Sequence, residues 1–266
     1  MFFVLQSFLL FSFVLLHAAV PEKCDISASN KWTSCRWDRK EYITREIPGI
    51  PSCASISIAG LLQKAAQIFF KEPKQITTQA VLDCFGSCSI TSPLLILSKL
   101  RTECRKKRDD WDLGIFLDLP EGVYPEYDGA AHECRINAAH KPYFAPICIE
   151  YKLYSEIFSE KLQSLDQLKA LIEQGIVMAV LKVKRGFREY TLNLDHVYDS
   201  KKDRTVYETE MHSVLLLGYR SNGKHIHLLI QNPWRVRETV PWGENGYAWV
   251  AVHSITTMEL NDQIYT

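Results

Sequence analysis

Apolar residues recur at Ile58, Leu61, Leu62, Ala65, Ile68 and Phe69, the i, i+3, i+4 rhythm of a helix that buries one face. Ala54, Ile56 and Phe70 are apolar off that stripe, so the helix expected over 54–70 is central and enclosed. Pro51 and Ser52 stand just before it, and Ser52 is a good N-cap. Cys53 then lies in the first turn, where backbone N–H groups lack intrahelical partners and the positive end of the dipole favours an anion. A thiol there ionises more readily than elsewhere.

A second helical signal starts at Thr77 or Thr78 and runs through Gln79-Ala80-Val81-Leu82-Asp83-Cys84. A third opens on the capping box Ser164-Leu165-Asp166-Gln167, continues through Leu168, Leu171 and Ile172, and closes at Gly175. Beyond Gly175 the pattern changes. Residues 176–183 read as a strand, and further strands are expected at 213–219, 226–231 and 247–252. Helices in the first half and strands in the second predict an α+β fold, a helical lobe packed on a sheet lobe.

Two of these strands form a hairpin with chemistry at its open end. Ser221-Asn222-Gly223-Lys224 separates two apolar runs, and Asn-Gly is the strongest short-range hairpin signal because both residues tolerate positive φ. A two-residue loop at Asn222-Gly223 would set His212 opposite Pro233. A one-residue bulge would instead align His212 with Asn232 on one face. Either register makes them neighbours, and a thiolate nucleophile needs such a pair: a base to take its proton and a group to hold that base in orientation. A buried amphipathic hairpin in which His212 only starts a strand is the structural alternative.

The 266 residues are 47% hydrophobic and carry 31 basic against 31 acidic side chains, enough apolar material for one domain or two lobes. A zero net charge leaves no general footprint for nucleic acid or a membrane surface. The run Arg105-Lys106-Lys107-Arg108 is followed at once by Asp109-Asp110 and reads as a solvated loop. The His and Cys residues lack zinc-type spacing, so neither a metal nor a cofactor is expected.

Met1 to Leu16 is apolar apart from Gln6, Ser7 and Ser12, and Ala18-Ala19 follow, which fits a signal peptide over 1–19. The mature protein is then expected outside the cell or in a lysosome-like lumen, with no membrane association after cleavage. Eight cysteines suit that oxidising setting. If Cys53 stays reduced, Cys24, Cys35, Cys84, Cys88, Cys104, Cys134 and Cys148 remain, an odd set that leaves a further thiol or an intermolecular disulfide.

Four segments now stand in a telling order: Pro51-Ser52-Cys53-Ala54-Ser55-Ile56-Ser57 opening a helix; Ile76-Thr77-Thr78-Gln79-Ala80-Val81-Leu82-Asp83-Cys84; Gly122-Val123-Tyr124-Pro125-Glu126-Tyr127 with Cys134; and the His212 to Tyr247 block with Asn232-Pro233-Trp234 and Trp242-Gly243-Glu244-Asn245-Gly246-Tyr247. This order resembles that of papain-like cysteine peptidases over roughly residues 36–253. The resemblance implies a two-lobe fold with the active site in the cleft between a helical lobe, about 36–145, and an antiparallel sheet or barrel lobe, about 146–253. Residues 20–35 would be a short extension in place of a full propeptide, and 254–266 a C-terminal tail. It also implies that Cys53 is the nucleophile, His212 the general base and acid, Asn232 the group orienting the imidazole, Trp234 the indole shielding that contact, and Cys84–Cys134 a disulfide. The implied partner is a peptide or protein substrate in the cleft.

The pattern departs from the family around the nucleophile. No glutamine precedes Cys53 in Arg45-Glu46-Ile47-Pro48-Gly49-Ile50-Pro51-Ser52, and Ala54 stands where the family has a bulky aromatic. Ile90-Thr91 replaces a glycine pair, and Ile50 replaces the cysteine that would bridge Cys88. His212 and Asn232 also lie farther from Cys53 than the about 130–150 residues of the papain-type signature, which places an insertion within 88–148. Two functions follow: a divergent cysteine peptidase, or a catalytically impaired relative kept as a secreted binding protein.

Overall fold

The computed structural model describes residues 23–27, 32–36, 52–70, 76–85, 115–116, 124–135, 144–145, 148–153, 166, 172, 177–237, 240–255 and 257–265. The expected signal peptide, residues 45–51 ahead of Ser52 and the Ile90-Thr91 pair lie outside these residues, as does most of the helix expected over 164–175. Of that helix Asp166 and Ile172 are described, and both are helical.

Helix α1 is Cys53–Phe70 and α2 is Thr78–Phe85. Ala54, Ser55, Ile56, Ser57, Ile58, Ala59, Leu61 and Leu62 are all buried, so α1 is enclosed along its first half, two serines included. It packs against α2 on one side and against strands β6 (Val177–Lys184) and β8 (Tyr207–Ser221) on the other. That packing sets α1, the helix that Cys53 opens, against the sheet.

Two short pairs, β3 (Ile115–Phe116) with β4 (Phe144–Ala145) and β10 (Arg235–Arg237) with β11 (Val240–Pro241), form sheets of their own. The main sheet runs β5 (Cys148–Leu153), β13 (Thr257–Tyr265), β6, β8, β9 (Ile226–Gln231), β12 (Tyr247–Ala251) and β7 (Val197–Tyr198), antiparallel except for the β12–β7 edge. Its central strand β8 is long because its two halves serve different neighbours. The first half pairs with β6, and the second with β9 and with β2 (Trp32–Arg36) of the β1–β2 hairpin, whose first strand is Lys23–Ser27. Val214 to Leu217 are buried without alternation, as expected of a strand covered on both faces.

Two boundaries differ from the sequence reading. The short extension 20–35 holds the β1–β2 hairpin, which joins the sheet at β8 and places Cys24 opposite Cys35 in the ladder. Within the expected tail, Ile255 belongs to the core, and β13 inserts between β5 and β6. The signal was the alternation of Met258 and Leu260 among polar residues, too short to stand out beside the apolar runs of β8 and β9.

The β8–β9 loop spans four residues, 222–225, where two were expected. Asn222 keeps an ordinary backbone and uses its side chain, Oδ1 accepting from the N–H groups of Lys224 (3.0 Å) and His225 (2.7 Å). Only Gly223 takes positive φ, at 80°. The ladder then shifts between Leu216 and Gly218, where Leu217 is the extra residue of a bulge. Without that residue His212 and Asn232 would point to opposite faces. With it they share one.

Candidate active site

Asn232 follows β9 directly and is fixed by its backbone, its N–H donating to the carbonyl of Gly246 at 2.8 Å. Its Oδ1 accepts the backbone N–H of Trp234 at 3.1 Å and lies 2.8 Å from Nε2 of His212. Because a backbone N–H can only donate, that first contact identifies the oxygen of the amide. His212 therefore carries its proton on Nε2 and presents Nδ1 with its lone pair available. This is the tautomer of a base.

His212 and Asn232 are almost wholly buried, and Trp234 closes over the pair with its ring centroid 3.6 Å from that of the imidazole, 25° from parallel. Burial pushes the imidazole down to about 3, the hydrogen bond to Asn232 opposes that shift, and the charge of Arg188 adds to it. Burial thus favours the neutral ring over the imidazolium.

Phe187 supports the stack from the turn α3, Arg185–Arg188. Its ring meets Trp234 edge-on at 6.0 Å, Trp242 at 4.8 Å and Tyr198 edge-on at 4.9 Å. The Trp242-to-Tyr247 block holds this turn by its backbone: Trp242 Nε1 donates to the carbonyl of Phe187 at 2.6 Å, and Gly243 N–H donates to that of Tyr190 at 2.8 Å. Gly243 has φ of 54°, and a Cβ there would come within 2.4 Å of the Tyr247 carbonyl oxygen, so glycine is required. The sequence block noted for its order is therefore a brace for the segment under His212.

On the helical side, Cys53 is the first residue of α1, half-buried, and carries a thiol outside any disulfide. Ser52 immediately before it has its hydroxyl against the phenol of Tyr127. The segment containing Tyr127 is tied to α2: Gln79 accepts the N–H of Asp128 at 3.1 Å and donates to the carbonyl of Ala130 at 2.7 Å. The Cys84–Cys134 bridge, with Cα atoms 4.7 Å apart, closes the same contact. Together these link Ser52, the residue before Cys53, to α2 through Tyr127.

The family model for papain family cysteine proteases matches residues 44–266. The chain belongs to the papain family of cysteine proteases. Solved papain-like structures share its fold. A cysteine protease of Carica candamarcensis in complex with E-64 is 20% identical, with a TM-score of 0.58 over 85% of this chain and 96% of that one. The bromelain protease of Ananas comosus in complex with E64 is 16% identical, with a TM-score of 0.59 over 85% and 97%. Digestive procathepsin L 3 of the Tenebrio molitor larval midgut is 18% identical, with a TM-score of 0.58 over 90% and 71%. Curated proteins give no sequence match.

Within this papain-like frame, His212, Asn232 and Trp234 come together in one stack on the sheet side, and Cys53 opens the helix packed against that sheet. Cys84 and Cys134 are bonded to each other. The pairings of Cys24, Cys35, Cys88, Cys104 and Cys148 fall outside the described side chains. Sequence reasoning missed Phe187 and Arg188, and it gave Tyr127, part of the Gly122 to Tyr127 motif, no role of its own. Phe187 and Arg188 sit in Arg185-Gly186-Phe187-Arg188-Glu189-Tyr190, where periodicity ends with β6 and no motif begins. Among the described residues no group of three His, Cys, Asp or Glu side chains is placed to hold a metal.

Proposed function

We propose that this chain is a divergent cysteine peptidase that hydrolyses peptide bonds through a thioester on Cys53. His212 Nδ1 takes the proton of the Cys53 thiol, and the thiolate adds to the carbonyl carbon of the substrate. The imidazolium then gives its proton to the leaving amine as the C–N bond breaks, and the thioester remains. A water molecule, deprotonated by His212, attacks the thioester; the acid leaves and the thiol recovers its proton. Asn232 holds the ring through both halves, and Trp234 keeps water from competing for that hydrogen bond.

The observation that supports this reading best is the Nε2 contact to Asn232 at 2.8 Å, whose direction is set by the Trp234 N–H on the same oxygen. A merely structural buried histidine needs no such tautomer control. The chemistry is also self-consistent in charge. Burial disfavours an isolated imidazolium, so the proton is taken up only as a thiolate forms beside it.

The absence of a glutamine before Cys53 supports the second reading, an impaired relative acting as a binding protein. One missing oxyanion donor costs about 100- to 1000-fold in turnover. It leaves nucleophile and base in place. The apolar segment 1–19 further suggests a secreted or lysosome-like location, and no described helix is long and apolar enough to cross a membrane.

Intact-mass spectrometry with an activated peptide ester tests the proposal, because the ester needs less oxyanion help than an amide. The expected result is an acyl adduct on Cys53 that is absent in Cys53→Ala and accumulates far more slowly in His212→Ala. No adduct on the wild-type protein, with the ester intact, supports the binding-protein reading.

A further inference from the structure

Cys24 of β1 and Cys35 of β2 stand directly opposite each other in the antiparallel ladder, with Lys23 against Arg36 and Asp25 against Ser34 on either side. Opposed positions share a face of the sheet, and their Cα atoms lie about 4.5 Å or about 5.5 Å apart in the two kinds of antiparallel pair. A disulfide joins residues whose Cα atoms are about 4.4–6.8 Å apart. Either kind of pair therefore suits a cystine. A register slip of one residue would instead put the two cysteines on opposite faces.

The hairpin they belong to has a task in the sheet. β6 pairs with β8 as far as Leu216, and β2 takes over that edge of β8 from Gly218 to Ser221. Its cover begins just beyond Leu217, the bulge residue that sets His212 and Asn232 on one face. Among the described strands, β1 pairs with β2 alone. The two strands have five residues each, and apart from the cysteines only Ile26 and Trp32 in them are large and apolar. A short two-stranded hairpin with so little to bury is marginal in water.

We propose that Cys24 and Cys35 form an intramolecular disulfide that clamps the N-terminal hairpin on the edge of β8. The bond forms by exchange with a small disulfide such as oxidised glutathione. The thiolate of one cysteine attacks it and releases one glutathione thiolate, and the second cysteine displaces the other glutathione from the mixed disulfide. Two cysteine thiols become one cystine, and their two protons and two electrons leave on two reduced glutathiones. The closed loop restricts the unfolded chain and so favours the folded hairpin. The pairing also narrows the cysteine count. With Cys84 bonded to Cys134 and Cys53 outside any disulfide, it leaves Cys88, Cys104 and Cys148 of the eight. The odd thiol, or the intermolecular bond, then belongs to one of those three.

The test uses the full chain folded in mixed reduced and oxidised glutathione, alkylated in denaturant without reduction and digested with trypsin. Cleavage after Lys23, Lys31 and Arg36 places Cys24 in the peptide 24–31 and Cys35 in the peptide 32–36. The expected product is these two peptides joined by one disulfide, which reduction separates. Recovery of either peptide mainly in alkylated form, or joined to Cys88, Cys104 or Cys148, overturns the pairing. Hydrogen exchange in the double variant Cys24→Ser, Cys35→Ser tests the clamp. Deuterium uptake at 218–221 should quicken by about tenfold or more, while β12, which does not pair with β2, keeps its protection. Unchanged uptake at 218–221, or an equal rise in β12, overturns the clamp.

Discussion

Trp234 lies over His212 with ring centroids 3.6 Å apart, and the amide oxygen that holds His212 also accepts the backbone N–H of Trp234. Indole, amide and imidazole are therefore positioned by one short segment, 232–234. Trp234→Ala admits water to the His212 to Asn232 hydrogen bond and relieves part of the burial that lowers the imidazole. The His212 pKa should rise from about 3 toward the ordinary histidine value of 6.5, read from its ring signals by NMR titration. An unchanged value would show that the indole does not seal the site.

Asn232→Ala removes the acceptor for His212 Nε2 and for the Trp234 N–H together. A buried donor left unsatisfied costs about 1–3 kcal/mol. Urea unfolding should show a loss of that size or larger, and acylation of Cys53 by the ester should slow by at least tenfold because the ring is no longer held in one tautomer. Loss of stability with acylation unchanged would assign Asn232 a structural role only.

Gly186→Ala tests the support of α3 from outside the stack. A Cβ there would lie 2.5 Å from Asp203 Oδ2. Asp203 cannot easily yield, since it accepts from Thr205 N–H at 2.8 Å, Thr205 Oγ1 at 2.7 Å and Tyr198 Oη at 2.9 Å. Overpacking of this kind costs about 1–3 kcal/mol. The variant should lose that stability in urea, whereas Gly186→Ala at wild-type stability would mean that the turn adapts.

Acid should destabilise the fold before its carboxylates titrate. Burial, followed by the Arg220 and His225 charges, lowers His227 to about 4, and burial lowers His212 to about 3. Both titrate lower in the folded protein than in the unfolded chain, so below about pH 6.5 the unfolded state binds more protons. Their contribution is complete above that pH and is lost as pH falls, toward about 4 for His227 and about 3 for His212. Urea midpoints should be flat from pH 8 to 7 and fall from 6.5 to 4.5, with a shallower fall in His227→Gln. A midpoint that rises toward pH 5 would contradict the burial of both rings.

The sheet half of the site was legible because its signals are local. Asn222-Gly223 announces a hairpin, and β8 and β9 are apolar enough to locate its strands, so the meeting of His212 and Asn232 follows from chain direction. The register was less legible. Whether Asn222 turns through positive φ or through its side chain is decided by the N–H groups of Lys224 and His225, and the Leu217 bulge restores the shared face. Phe187 and Arg188 were not legible at all: their importance lies in contacts with residues more than 40 positions away, such as Trp234 and Trp242, and no periodicity marks a single turn. β13 was read as a tail because its partners, β5 and β6, are distant in sequence. The helix start at Cys53 was readable from Pro51, Ser52 and the apolar run, but the hold of Tyr127 on Ser52 depends on a tertiary contact.

The central claim is that Cys53 is activated by His212. Its most direct test is the second-order rate constant for alkylation of Cys53 by iodoacetamide at pH 5–7, site-assigned by peptide mapping, in the wild-type protein and in His212→Ala. An ordinary thiol of pKa about 8.5 is almost wholly protonated there and reacts slowly. The activated pair predicts labelling at least tenfold faster than a model thiol, slowed to the model rate in His212→Ala and absent at this position in Cys53→Ala. Equal rates for wild type, His212→Ala and the model thiol would contradict the claim.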